Sequence, residues 1–211
     1  MADIKTVVDT LSRERIVPVA VIENASDAPY IAEALIGSGI NNIEVTFRTA
    51  NADKAIELIK KAFPDMTVGA GTVLDTEALL LAQRAGADFV VAPGTNPTVV
   101  KRALELGIFM IPGVCTPSET ELALSLGLSV LKFFPAEAAG GVKMIKALSA
   151  PYSMVKWMPT GGIDAENIRD YLAVPSVFAC GGSFMLPKKA RLERDFKKIE
   201  SLAMRAREII A

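Results

Sequence analysis

The chain has 211 residues, of which 51% are hydrophobic and 22% charged, a balance that supports a buried core and excludes disorder. Its formal net charge is -1 with acids and bases interleaved, so it carries no electrostatic footprint for nucleic acid or an anionic membrane. It contains no histidine, which removes imidazole triads and the HExxH zinc helix and leaves proton transfer to carboxylates, lysines, tyrosines or water.

The N-terminal residues have no basic segment followed by an apolar one, and no apolar run approaches a bilayer span, so the expectation is a soluble cytoplasmic protein. Cys115 and Cys180 have neither CxxC spacing nor metal-ligand neighbours. They read as free, mostly buried thiols, with no disulfide, metal or cofactor expected.

In chain order, a helix is expected over 3–15, then eight apolar β-like runs at 16–22, 42–47, 67–73, 89–94, 109–114, 130–136, 154–161 and 176–182. Their starts lie 20 to 26 residues apart, which leaves room for one helix in each interval. Helical patterns fill those intervals at 28–36, 52–62, 76–85, 97–106, 117–126, 142–148 and 165–172, and a closing amphipathic helix is expected over 191–210. Asn96 before Pro97 marks one helix start, and Thr116-Pro117-Ser118-Glu119 marks another as a capping box. Gly37, Gly86, Gly107 and Gly127 stand where left-handed helix ends favour glycine.

Eight βα units predict an α/β fold of the (β/α)8 TIM-barrel class with an N-terminal helix, occupying residues 1–211 as one domain. An open doubly wound sheet is the competing arrangement, but no GxGxxG follows the first strand. The length lies near the lower end for a barrel, so short loops and no lid domain are expected.

One lysine interrupts the apolar run Val130-Leu131-Lys132-Phe133-Phe134-Pro135. Period-2 alternation puts Val130, Lys132 and Phe134 on one face, so Lys132 points where the core should be. A buried ammonium either finds a counter-charge or loses its proton, and the second outcome makes a nucleophile. The competing reading is a lysine that snorkels to the rim.

On the second strand, Ile43, Val45 and Phe47 suit the outer face, which turns Glu44, Thr46 and Arg48 inward. Glu44 could then move protons while Arg48 binds a carboxylate or phosphate, or Glu44 could be half of a structural ion pair. Gly69-Ala70-Gly71-Thr72 either lets a ligand approach the backbone or packs the barrel tightly. Thr160-Gly161-Gly162 and Gly181-Gly182-Ser183 end the seventh and eighth strands, where barrels form phosphate sites from backbone N–H groups. Lys156 sits near a strand start, and Lys143 and Lys146 on a helix, all within reach of water. Met144, Met158 and Met185 read as core filler, and Trp157 as an outward, helix-facing residue.

Together with Pro93-Gly94, Ile111-Pro112-Gly113 and Lys132 through Glu137, these segments resemble the 2-keto-3-deoxy-6-phosphogluconate (KDPG) aldolase family, which includes enzymes acting on 4-hydroxy-2-oxoglutarate (KHG). The likeness spans almost the whole chain. It implies a metal-independent, typically trimeric class I aldolase. Lys132 matches the Schiff-base lysine and Glu44 the general acid/base. Arg48 and Thr72 match the pyruvyl-carboxylate ligands, and Pro93 and Phe134 the apolar contacts. Thr160, Gly161, Gly162 and Ser183 match the region meeting the distal hydroxyl and phosphate, with Gly182 in the same glycine-rich strand end.

Two departures, Ala138-Ala139 before Gly140-Gly141 and Thr95 after Pro93-Gly94, bear on aldehyde preference rather than on the chemistry. The expected reaction cleaves KDPG to pyruvate and glyceraldehyde 3-phosphate, and also KHG to pyruvate and glyoxylate. The alternatives are a phosphogalactonate-epimer aldolase, an epimerase or decarboxylase barrel that uses no imine, and a non-catalytic barrel in which Lys132 only pairs with Glu44. A small 2-keto acid phosphate is the expected ligand.

Overall fold

The computed structural model describes residues 4–211; Asp3, the first residue of the expected N-terminal helix, lies outside them. The chain runs α1 (Ile4–Glu14), β1 (Ile16–Ala20), a 3-10 turn (Ala25–Asp27), α2 (Ala28–Gly37), β2 (Asn42–Thr46), α3 (Ala52–Ala62), β3 (Thr67–Gly71) and α4 (Thr76–Arg84). It continues through β4 (Phe89–Val91), α5 (Pro97–Glu105), β5 (Met110–Ile111), β6 (Gly113–Val114), α6 (Pro117–Ser125), β7 (Val130–Phe133) and α7 (Gly141–Ser149). The last elements are β8 (Lys156–Pro159), α8 (Ile168–Leu172), β9 (Cys180–Gly182), α9 (Lys188–Leu192) and α10 (Phe196–Ile210).

Every strand pairing is parallel, in the order β5-β4-β3-β2-β1-β9 and β6-β7-β8. Two further parallel bridges, Trp157 to Val177 and Thr160 to Gly181, join β8 to the β9 segment. The first and last strands therefore lie side by side, and the sheets curl into the expected barrel. The fifth predicted strand differs from expectation in being two pieces, β5 pairing with β4 and β6 with β7. Pro112 stands at the break. It has no N–H for the ladder, yet its carbonyl still accepts from the Lys132 N–H at 2.9 Å.

Alternation sorts the side chains into two layers. Ile43, Val45, Leu131, Phe133 and Trp157 are fully buried in the layer between strands and helices, which bears out the outward reading of Trp157. Val17, Phe89, Val91, Ile111 and Met158 form a separate inner cluster. Val7, Val8 and Leu11 of α1 join that inner cluster, so the N-terminal helix plugs the barrel floor with its apolar stripe. The opposite end, where the strands finish, is left open, and it is the end at which barrels of this class carry their sites.

The helix signals hold at most ends. Asn96 accepts from Thr98 N–H, and the Thr116–Glu119 capping box is complete. Gly86, Gly107 and Gly127 have positive φ, but after α2 the left-handed residue is Gly39, while Gly37 is the last helical residue. A Cβ on Gly37 would lie 2.6 Å from Glu200 Oε1, so close packing of α10 explains that glycine. The closing helix is likewise two helices. Arg194 adopts φ 55 between α9 and α10, and Asp195 caps the second by accepting from Lys198 N–H.

Cys115 and Cys180 are free thiols, the first half-buried and the second buried. Burial pushes the Cys180 thiol up from its ordinary 9.0. Burial, and then a hydrogen bond to Glu137, pushes the Tyr171 phenol up from 10.0. The fold holds both groups uncharged, whereas the unfolded chain releases their protons from about pH 9 upward. Their contribution to stability is full below that pH and is lost as pH rises towards the folded values. The urea midpoint should therefore fall between about pH 8 and pH 10.5, and less steeply in Cys180→Ala. Identical slopes in the two proteins would refute the assignment to Cys180.

Candidate active site

Lys132 stands in the middle of β7, in register with Gly113 on β6 and Met158 on β8. It faces inward as alternation requires and is 5% exposed. Glu44 reaches the same space from β2 and is 1% exposed. Lys132 Nζ lies 3.7 Å from Glu44 Oε1 and 5.1 Å from the centre of the Phe134 ring. At that separation the pair interacts by charge but does not close a hydrogen bond. Glu44 Oε2 is buried with no hydrogen-bond partner among the described residues. A buried carboxylate oxygen left open in this way costs free energy, and a ligand or a water would relieve it.

Gly71 explains how the carboxylate fits. A Cβ there would lie 2.1 Å from Glu44 Oε1. At Gly69 a Cβ would lie 2.3 Å from the Phe89 ring. Of the two readings of this glycine strand, tight packing therefore accounts for both positions: protein side chains occupy the space. Gly71 still serves the site, because its missing side chain is what lets Glu44 lie flat against β3. The next residue, Thr72, is half-buried and has φ 60, a left-handed conformation that a β-branched residue rarely adopts and that clusters at binding sites.

At the C-terminal strand ends is a cavity of about 170 Å³, which Lys132 and Glu44 themselves do not line. It brings together seven of the predicted site residues: Arg48, Phe134, Thr160, Gly161, Gly162, Gly182 and Ser183. Arg48 is exposed, and its Nε donates to the hydroxyl of buried Thr46 at 3.3 Å. Phe134 lines the cavity and is also the ring nearest the lysine amine; a Cβ on Gly161 would lie only 3.2 Å from that ring. Thr160 Oγ1 is likewise buried without a hydrogen-bond partner among the described residues. A Cβ on Gly181 would approach it to 2.4 Å, so that glycine makes room for the hydroxyl.

Thr72 and Pro93 sit at the same barrel end but do not line this cavity. The carbonyl of Pro93 occupies the space over Gly113, 2.1 Å from where a Cβ would stand, so Pro93 lies one strand from Lys132. Val19 and Ile163 line the cavity and were not singled out from sequence. Val19 was accessible to alternation along β1, whereas Ile163 lies in a loop where no period applies. Lys156, Lys143 and Lys146 are exposed, as expected. No group of three or more acidic, cysteine or histidine side chains able to hold a metal occurs among the described residues.

Fold and site together define a (β/α)8-barrel enzyme whose enclosed lysine, set beside a carboxylate, is the candidate nucleophile. The family model described as KDPG and KHG aldolase matches residues 7–202. The chain is 46% identical over 204 residues to a 2-dehydro-3-deoxy-phosphogluconate aldolase of Haemophilus influenzae, covering 97% of this chain and 96% of that protein. It is 45% identical over 193 residues to the KHG/KDPG aldolase of Escherichia coli K12, covering 92% of this chain and 91% of the relative. Among solved structures it superposes with TM-score 0.91 on the KDPG aldolase of Legionella pneumophila, at 39% identity over 94% of this chain and 96% of that one. In that crystal structure pyruvate is captured at low pH as a covalent carbinolamine intermediate. The chain belongs to the KDPG and KHG aldolase family.

Proposed function

We propose that this chain is a class I aldolase that cleaves KDPG to pyruvate and glyceraldehyde 3-phosphate, and KHG to pyruvate and glyoxylate, with Lys132 as the Schiff-base residue. The observation that carries this reading is the enclosed amine of Lys132, 3.7 Å from a carboxylate that has one oxygen unpartnered. The carbinolamine captured in the Legionella relative supports it.

Lys132 Nζ adds to the C2 carbonyl, and loss of water gives an iminium ion. The C4 hydroxyl gives up its proton, the C3–C4 bond breaks, and its electron pair flows into the iminium to leave an enamine. The aldehyde departs. Glu44, through a water, is the group that takes and returns protons, including the one that reaches C3 of the enamine. Water then hydrolyses the pyruvyl iminium and frees the amine. Arg48 and Thr72 hold the substrate carboxylate, with Pro93 and Phe134 against the pyruvyl unit. Thr160 receives the distal hydroxyl, and Gly161, Gly162, Gly182 and Ser183 receive the phosphate.

Residues 1–211 act as one domain, and the homotrimer implied by the family and a cytoplasmic location belong to the same reading. No helix among the described residues is long and apolar enough to cross a membrane. Light scattering tests the trimer. Borohydride added with pyruvate should attach one reduced pyruvyl group to Lys132, and a coupled assay should detect pyruvate released from KDPG and from KHG. An unlabelled protein, or a label on another residue, would defeat the proposal.

A further inference from the structure

Groups outside the cavity hold both carbonyls of the Gly161–Gly162 loop, and in a trans peptide the N–H that follows a carbonyl points the opposite way. Gly161 and Gly162 have φ of 99 and 78, a backbone that only glycine adopts without strain. The Gly161 carbonyl accepts from Glu137 N–H at 3.0 Å. The Gly162 carbonyl accepts from the Asn167 side-chain amide at 2.8 Å, while Asn167 Oδ1 accepts from Asp164 N–H at 3.0 Å. Asp164 Oδ1 in turn accepts from Glu166 N–H and Asn167 N–H. On the other side of the loop, Glu137 accepts from the phenol of fully buried Tyr171. The same side chain packs where a Cβ on Gly162 would stand, 2.6 Å away. Asn167, Glu137 and Tyr171 do not line the cavity, whereas Gly161, Gly162 and Ile163 do. Among the described residues the N–H groups of Gly162 and Ile163 donate to nothing.

We infer that Asn167, together with the Glu137–Tyr171 pair, is a positioning device that fixes the peptide orientation of the Gly161–Gly162 loop, so that its N–H groups face the anionic end of the substrate. A peptide plane left free to rotate would present a carbonyl oxygen to a phosphate, and both are negative. The hydrogen bond to each carbonyl removes that choice before substrate arrives. This inference rests on the aldolase reading and deepens it, because it concerns only the phosphate end.

The two substrates supply the test, since KDPG carries a phosphate and KHG does not. In Asn167→Ala, KM for KDPG should rise about tenfold, the loss of one hydrogen bond to a charged group, while kcat and KM for KHG stay within about twofold. Asn167→Asp keeps the acceptor for Asp164 N–H but turns a carboxylate towards the Gly162 carbonyl, so it should raise KM for KDPG more than alanine does. Tyr171→Phe should move the same ratio in the same direction. Equal losses on both substrates, or an aspartate variant better than the alanine one, would overturn the inference. The aldolase reading has its own control: failure of pyruvate trapping in the unaltered protein would remove that reading, whereas intact trapping with an unchanged KDPG-to-KHG ratio would remove only the positioning role.

Discussion

Lys132→Met should lower kcat/KM for KDPG by at least about 10³-fold and abolish the borohydride adduct with pyruvate. Methionine keeps an unbranched apolar stem and falls only the terminal amine short of lysine, so the barrel interior stays nearly filled and the loss is one of chemistry. The variant also leaves Glu44, 1% exposed, without its cation. Breaking one side of a buried pair costs about 3–5 kcal/mol, which urea unfolding would register. Adding Glu44→Gln to Lys132→Met should restore much of that stability and none of the activity. This double variant separates the imine reading from a barrel in which the pair is purely structural. Substantial turnover by Lys132→Met would favour an epimerase or decarboxylase that works without an imine.

Glu44→Gln alone should reduce kcat about 10²- to 10⁴-fold, the usual span for a general acid or base, with little change in KM. Glutamine has the same shape, so it fits the space that Gly71 leaves open beneath the carboxylate. Pyruvate should still be trapped on Lys132, only more slowly, because the amine is untouched. A second variant reaches the same group by geometry. Gly71→Ala would place a Cβ 2.1 Å from Glu44 Oε1, so it should displace the carboxylate and lower kcat while both ionisable groups remain. If Glu44→Gln kept kcat within about threefold of the parent, the proton-transfer role would pass to another group or to water.

Much of this arrangement was legible in the residues. Lys132 inside an apolar run, and Glu44 alternating with Ile43 and Val45, each declare an inward direction from period 2 alone. The helix starts at Pro97 and Pro117 could be read from their caps, since a cap is a local hydrogen bond. The break at Pro112 carries only a weak signal, because proline lacks an N–H for the ladder yet Pro18 and Pro159 stand within paired strands, and the run 109–114 is apolar enough to pass as one strand. The split of the closing helix at Arg194 carried no strong mark, and nothing local separates a charged helical turn from a charged bend. The glycines of β3 were ambiguous for a different reason. A missing side chain shows that something must come close, without showing whether it is a ligand, the Phe89 ring or the Glu44 carboxylate.

The repeating βα unit, the inward or outward sense of the strand residues and the chemical types available follow from local periodicity and from side-chain chemistry. That β7 and β2 bring an amine and a carboxylate to 3.7 Å, that Glu44 lies over Gly71, and that Asn167 and Glu137 bond the carbonyls of the glycine loop is visible only in the folded chain. Those distances depend on how the ring of strands closes and how its loops fold back. Closure is a property of all the strands together, which no single stretch of residues encodes.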